Sequence, residues 1–166
     1  MAALQIVWFK RDLRVVDHRP LIEAAACGSL LPLFVVEPEF WRQPDAFERQ
    51  WMFCRESLQE LRNDLLELGQ PLVVRTGDVV QVLDRARRQF GVERLWSHEE
   101  TGNGWTYRRD QRVAAWARQN GIIWMEIPQF GVIRRMKSRN GWAQRWERQM
   151  AEPLVEAPRS LQRLEL

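Results

Sequence analysis

The sequence predicts a doubly wound α/β domain, a five-stranded parallel sheet of Rossmann-like type with helices on both faces. Two observations carry this. Short apolar runs alternate with helical patterns from Leu4 to Ile127. Strands separated by roughly 10–20 helical residues join as parallel neighbours through crossovers. The runs are also continuously apolar rather than alternating, as strands covered on both faces are.

Leu4 to Phe9 reads as the first strand, stopped abruptly by the charged run Lys10 to Asp17. Pro20 to Gly28 reads as a short helix, with proline in its first turn and glycine at its end. Leu30 to Val36 is a buried strand broken only by Pro32. Ala46 to Leu68 is the clearest helix: Trp51, Cys54, Leu58, Leu61, Leu65 and Leu68 recur at steps of three and four, and Gly69 ends it. Pro71 to Arg75 is the third strand. Asp78 caps a helix to Phe90 whose face carries Val79, Val82, Leu83, Ala86 and Phe90. Glu93 to Ser97 is the fourth strand, Trp105 to Asn120 a helix striped by Val113, Trp116 and Ala117, and Ile122 to Ile127 the fifth strand.

Residues 1–130 thus form the α/β domain. Residues 131–152 read as a basic loop and an amphipathic helix, Gly141 to Met150, that packs Trp142 and Trp146 onto the domain. Residues 153–166 contain Pro153 and Pro158 and no period, so they read as a mobile linker.

Composition narrows the function classes. The chain is 45% apolar and 28% charged, ordinary for a soluble domain. Its longest apolar runs, about seven residues, fall far short of the ~20 that cross a bilayer. No export signal opens it, so a cytoplasmic protein without membrane contact is expected. Cys27 and Cys54 stand in helices and read as small buried hydrophobes. The net charge of +3 is mild, and the basic residues, nearly all arginine, do not cluster. Nine tryptophans are the heavier signal, since large aromatics suit cores, interfaces and flat ligands. No G-x-G-x-x-G or P-loop pattern is present, and neither His18 nor His98 has a metal-ligand partner at useful spacing.

Three loops fall at the carboxyl ends of the first, second and fourth strands, where open α/β sheets bind ligands. Lys10 and Arg11 lie on the first, which reads either as a ligand grip or as an ion-pair network locking the loop. Glu37, Phe40 and Trp41 lie on the second; a carboxylate beside aromatics grips a planar heterocycle, or the rings simply cover the loop. Glu99, Glu100, Thr101, Gly102 and Asn103 lie on the third, where two acidic acceptors suit an N–H-rich ring such as a pterin or flavin, or the segment is a capping turn.

The run Trp8-Phe9-Lys10-Arg11-Asp12-Leu13-Arg14 with Asp17-His18 and Leu21 resembles the opening of the photolyase/cryptochrome family. Glu56 to Leu61, Gly69 to Val74 and Gly77-Asp78 follow in that family's order. Glu99 to Asn103 with Trp105 to Tyr107, and Gly131 to Arg135 with Gly141 to Ala143, resemble the class III cyclobutane-dimer photolyase branch. The resemblance implies the strand order 3-2-1-4-5 and a light-harvesting antenna chromophore: a folate such as methenyltetrahydrofolate first, a deazaflavin or flavin otherwise. It implies that FAD sits in a helical domain following residue 166, that UV-damaged DNA is met only through the full-length deoxyribodipyrimidine photolyase or cryptochrome, and that these residues alone carry no catalysis. An apolar surface that such a domain would cover favours self-association. Where folate-type members carry an Asn-Glu pair the chain reads Trp105 to Asp110, and Gln50 stands where many members place arginine. The alternatives are a freestanding nucleotide-binding α/β protein of the electron-transfer-flavoprotein or stress-protein type, or a non-catalytic interaction module.

Overall fold

The computed structural model describes residues 4–129, 131–134, 136 and 138–164. Arg135, which closes the Gly131 to Arg135 motif, lies outside the described residues. Five parallel strands stand in the order β3-β2-β1-β4-β5: β1 (Leu4–Phe9), β2 (Leu30–Val36), β3 (Val73–Thr76), β4 (Val92–His98) and β5 (Ile123–Ile127). This is the expected order. The sheet is sealed on both faces. Ile6, Trp8, Leu33 and Leu95 pack under α4 (Val79–Phe90) and α5 (Gly104–Gln119). Val7, Phe9, Leu30 and Phe34 pack under α1 (Arg19–Cys27) and α3 (Glu48–Glu67), through Leu21, Leu58, Leu61 and Leu65. Alternate residues of one strand feed opposite cores, so every position of β1 is buried.

Helices α1, α4 and α5 begin where a side chain accepts from their free amides. Asp78 Oδ1 accepts from the amides of Val80 (3.0 Å) and Gln81 (3.2 Å), as its position suggests. His18 Nδ1 accepts from Leu21 N and opens α1. The expected helix from Ala46 starts at Glu48 instead, because Gln50 Oε1 accepts from the Phe47 amide and fixes the start there. A short helix, α2 (Pro38–Trp41), precedes it.

The last helix, α6 (Trp142–Met150), forms as expected but has no buried residue. Trp142 and Trp146 stack on each other at 6.3 Å and stay 42% exposed, so their burial against the domain is only partial. Trp142 Nε1 donates to the Gly131 carbonyl. Residues 154–164 have no regular structure, yet they are tied down. Val155 bonds to Asp17, the Leu161 amide donates to Leu68 O (2.7 Å), the Leu164 amide donates to Gln70 Oε1 (2.8 Å), and Leu161 is buried in the α1/α3 core. Composition misses this because scattered backbone pairing and one apolar anchor leave no period. No helix among the described residues is long and apolar enough to cross a membrane.

Candidate functional site

The carboxyl ends of β1, β2 and β4 converge on one guanidinium. Arg109, on α5, is 5% exposed. Its Nη1 donates to Glu37 Oε2 at 3.0 Å, its Nε and Nη2 donate to Asp110 Oδ1 at 2.9 and 2.8 Å, and its Nη2 also meets Glu100. The guanidinium carbon lies 4.8 Å from the centroid of the Trp8 ring. Burial works against the charge of Arg109, but Glu100, Asp110 and Glu37 outweigh it and keep the group protonated. Lys10 Nζ donates to His98 O (3.3 Å) and to Asp110 (3.4 Å), 4.5 Å from the Trp8 centroid. Arg11 Nε pairs with Glu100 Oε1 at 3.2 Å, with its guanidinium 5.5 Å from the Phe40 ring centroid.

Beside this network lies a cavity of about 590 Å³, within the range of small-molecule sites. Lys10, Arg11, Glu37, Phe40, Trp41 and Glu100 line it, so residues from all three expected loops meet there. Gln50, Phe53, Cys54 and Ser57 of α3 close the far wall. Trp41 packs edge-on against both Phe40 and Trp51, each at 5.0 Å. Glu99, Thr101, Gly102 and Asn103 do not line the cavity. Glu99 lies 3.8 Å from Arg134. Gly102 sits against Thr106, where a Cβ would overlap the hydroxyl. Asn103 caps α5, its Oδ1 accepting from the Trp105 and Thr106 amides at 3.0 Å each, while its Nδ2 donates to Asp45.

Glu37 is the unsatisfied member. Its Oε2 holds Arg109, but its Oε1 is buried with no hydrogen-bond partner among the described residues. Burial pushes its carboxyl up to about 7, against the pull of Arg109. A buried acceptor without a partner costs about 1–3 kcal/mol. Glu37 is therefore strained toward either a proton or a ligand donor.

A second polar cluster sits behind β1. Asp12 Oδ2 accepts from His18 Nε2 (2.8 Å) and from His98 Nδ1 (2.6 Å), and Asp12 Oδ1 accepts from the Lys10 amide (2.8 Å). Burial raises the Asp12 carboxyl, but the two imidazole hydrogen bonds override it and hold the group well below the usual carboxylate range. The two histidines are 80 positions apart in the chain, and only the adjacency of β1 and β4 brings them together. Their ligand atoms and that of Asp12 fall within 4.8 Å of one another. The hydrogen bonds account for this closeness.

The members of the network that the sequence did not single out are Arg109, Asp110 and Arg134. The first two were traceable. The α5 stripe of Val113, Trp116 and Ala117, carried back by three and four, lands on Arg109, Asp110 and Thr106, all buried. Charges on an apolar stripe imply a buried network.

The model of the family described as DNA photolyase matches residues 5–132. Cryptochrome DASH, chloroplastic/mitochondrial, of Arabidopsis thaliana is 30% identical over 103 residues, which is 58% of this chain and 18% of that protein. The crystal structure of a class III photolyase from Agrobacterium tumefaciens superposes with a TM-score of 0.81 at 20% identity, covering 100% of this chain and 36% of that one. The photolyase from Sulfolobus tokodaii, solved with two FAD molecules and described as implying a novel light-harvesting cofactor, superposes at 0.78 with 22% identity, over 97% of this chain and 38% of that one. At these identities the superpositions bear on fold. The chain spans 18% and 24% of the length of the first curated relatives it matches.

Proposed function

The chain belongs to the DNA photolyase family, and from that premise we propose that it is the antenna-chromophore-binding domain of a blue-light-dependent photolyase or cryptochrome. The chromophore is a planar heterocycle of the folate, deazaflavin or flavin type, methenyltetrahydrofolate being the first candidate. It occupies the cavity between β1, β2 and α3.

One observation carries the reading: Glu37 lines the cavity and has a buried oxygen without a partner. A ring N–H supplies the missing donor. Phe40 and Trp41 cover the ring by stacking, and Arg11 meets its anionic or carbonyl edge. Arg109, fixed by Glu100 and Asp110, keeps Glu37 in place. Lys10 is held by His98 and Asp110, so it acts through the network rather than by reaching for the ligand. Glu99, Thr101, Gly102 and Asn103 set the position of Glu100 and the start of α5.

Energy collected here would pass to an FAD held by another part of the full protein, which would act on pyrimidine dimers in UV-damaged DNA. None of the residues described here is assigned to that chemistry.

The test is an absorbance titration of the purified chain with methenyltetrahydrofolate, FMN and a deazaflavin in turn. One of them should bind with a shifted spectrum. Glu37→Gln keeps a carbonyl acceptor but not the charge, and should weaken it by about 1.5–3 kcal/mol, the worth of a hydrogen bond to a charged group. Binding of none, or binding unaffected by both Glu37→Gln and Trp41→Ala, rejects the proposal.

A further inference from the structure

A second groove, of about 640 Å³, lies between α1, the ends of β4 and β5, and α6, and shares Arg14 with the first cavity. Its wall carries four guanidinium groups: Arg14, Arg19, Arg145 and Arg148. Two are occupied. Arg14 donates to Asp17 O (2.9 Å), and Arg19 pairs with Glu152 (2.6 Å). The side chains of Arg145 and Arg148 have no hydrogen bond or ion pair among the described residues. Against them stands one free carboxylate, Glu23. The groove therefore carries a net positive charge.

His98 also lines this groove, although its side chain is only 5% exposed. Its Nδ1–H is committed to Asp12 at 2.6 Å. Its Nε2 has no hydrogen-bond partner among the described residues, and the residue borders the groove. A carboxylate thus orients the imidazole, and the other nitrogen stays reachable. His18 differs: its Nε2 goes to Asp12, its Nδ1 accepts from Leu21 N, and it is fully buried. Only His98 has capacity left for a ligand.

The chemistry selects the ligand. In the tautomer whose Nδ1–H donates to Asp12, the lone pair of His98 sits at Nε2. A fully ionised anion offers only lone pairs in return. The contact needs one proton between ring and ligand. A phosphate monoester supplies it, because its second ionisation lies near pH 6. A phosphodiester or a sulfate has no such proton. We propose that this groove binds a phosphate monoester group, with one phosphoryl oxygen sharing a proton with His98 Nε2 and the others meeting Arg145 and Arg148. The proposal does not rest on what fills the first cavity.

The chain has two histidines, so ¹⁵N-resolved NMR reads both rings separately. Titration with inorganic phosphate should move the His98 Nε2 resonance in a saturable way and leave His18 in place. Phenyl phosphate should act likewise. Sulfate and dimethyl phosphate at matched ionic strength should move it far less. The double variant Arg145→Gln/Arg148→Gln changes two exposed side chains on α6 and leaves the fold intact. It should weaken phosphate binding about tenfold or more, equivalent to ~1.4 kcal/mol. Equal responses to phosphate and sulfate would mean a general anion groove and overturn the proposal. So would a phosphate response that survives the double variant, or no movement of His98 while His18 serves as a stable reference.

Discussion

Asp17 and Val155 hold each other through two hydrogen bonds across 138 positions of sequence. The Asp17 amide donates to Val155 O at 2.7 Å, and the Val155 amide donates to the Asp17 carboxylate at 3.3 Å. Among the described residues Asp17 is the one non-glycine with positive φ, at 52°. Aspartate tolerates this left-handed conformation better than most residues. Here it turns the amide and the carboxylate toward the same returning segment. The clamp lies between the loop that follows β1 and the final stretch of chain.

That stretch should contribute to stability. Leu161→Ala removes a buried anchor and is expected to cost about 2–5 kcal/mol in urea unfolding. Leu154→Ala, at an exposed position of the same stretch, should cost less than ~0.5 kcal/mol. Equal effects would mean that the segment is not docked in solution.

Arg109 should not tolerate conservative exchange. Lysine cannot span Glu37, Glu100 and Asp110 together, because it lacks the planar fork. Arg109→Met leaves three carboxylates around an apolar chain. Breaking a buried charge network costs about 3–5 kcal/mol, so Met should be far less stable than the parent in a thermal melt, with Lys in between. A methionine variant as stable as the parent would contradict the network's importance.

Two buried groups give opposite pH trends. The His18 value lies below its ordinary 6.5, because burial disfavours the imidazolium. Its contribution is complete above about pH 6.5 and is lost as the pH falls through the depressed value. Glu37 is raised from 4.5 to about 7. Its contribution is complete below 4.5 and is lost as the pH rises through 7. Relative to the parent, Glu37→Gln should therefore gain stability between pH 5 and pH 8, with a limiting slope of about 1.4 kcal/mol per pH unit. Urea unfolding at both pH values measures it. A difference that stays flat or shrinks would falsify the raised carboxyl.

Asn103 tests the start of α5. Asn103→Ala removes the acceptor for the Trp105 and Thr106 amides and should cost about 1 kcal/mol. Asn103→Asp keeps that acceptor but sets a carboxylate against Asp45, so its deficit should shrink on adding salt. Salt-independent deficits in both variants would show that the Asp45 contact is unimportant.

The sheet was legible because β1 and β2 are nearly unbroken apolar runs, the helices between strands carry apolar stripes, and one start, at Asp78, has a readable cap. The strand order came from family resemblance, not from periodicity. The convergence of Arg11, Glu37, Phe40 and Glu100 was legible as loop position, since strand carboxyl ends in such a sheet lie together. What holds them was not. Arg109 looks like one more surface arginine beside Arg108, and only its place on the α5 stripe marks it as buried. The Asp12–His18–His98 cluster depends on strand adjacency, which no local pattern encodes. The returning tail depends on backbone bonds, which leave no trace in side-chain type.

Four indoles gather around the cavity between β1, β2 and α3. Trp8 and Trp41 line it, Trp51 stands 5.0 Å from Trp41, and Trp105 stands 5.7 Å from Phe40. Trp142 and Trp146 lie apart on α6. Indole fluorescence falls where folates and flavins absorb, so a chromophore in the cavity drains emission most strongly from the indoles nearest to it. The protein carries its own optical gauge of occupancy: quenching that deepens as the cavity fills.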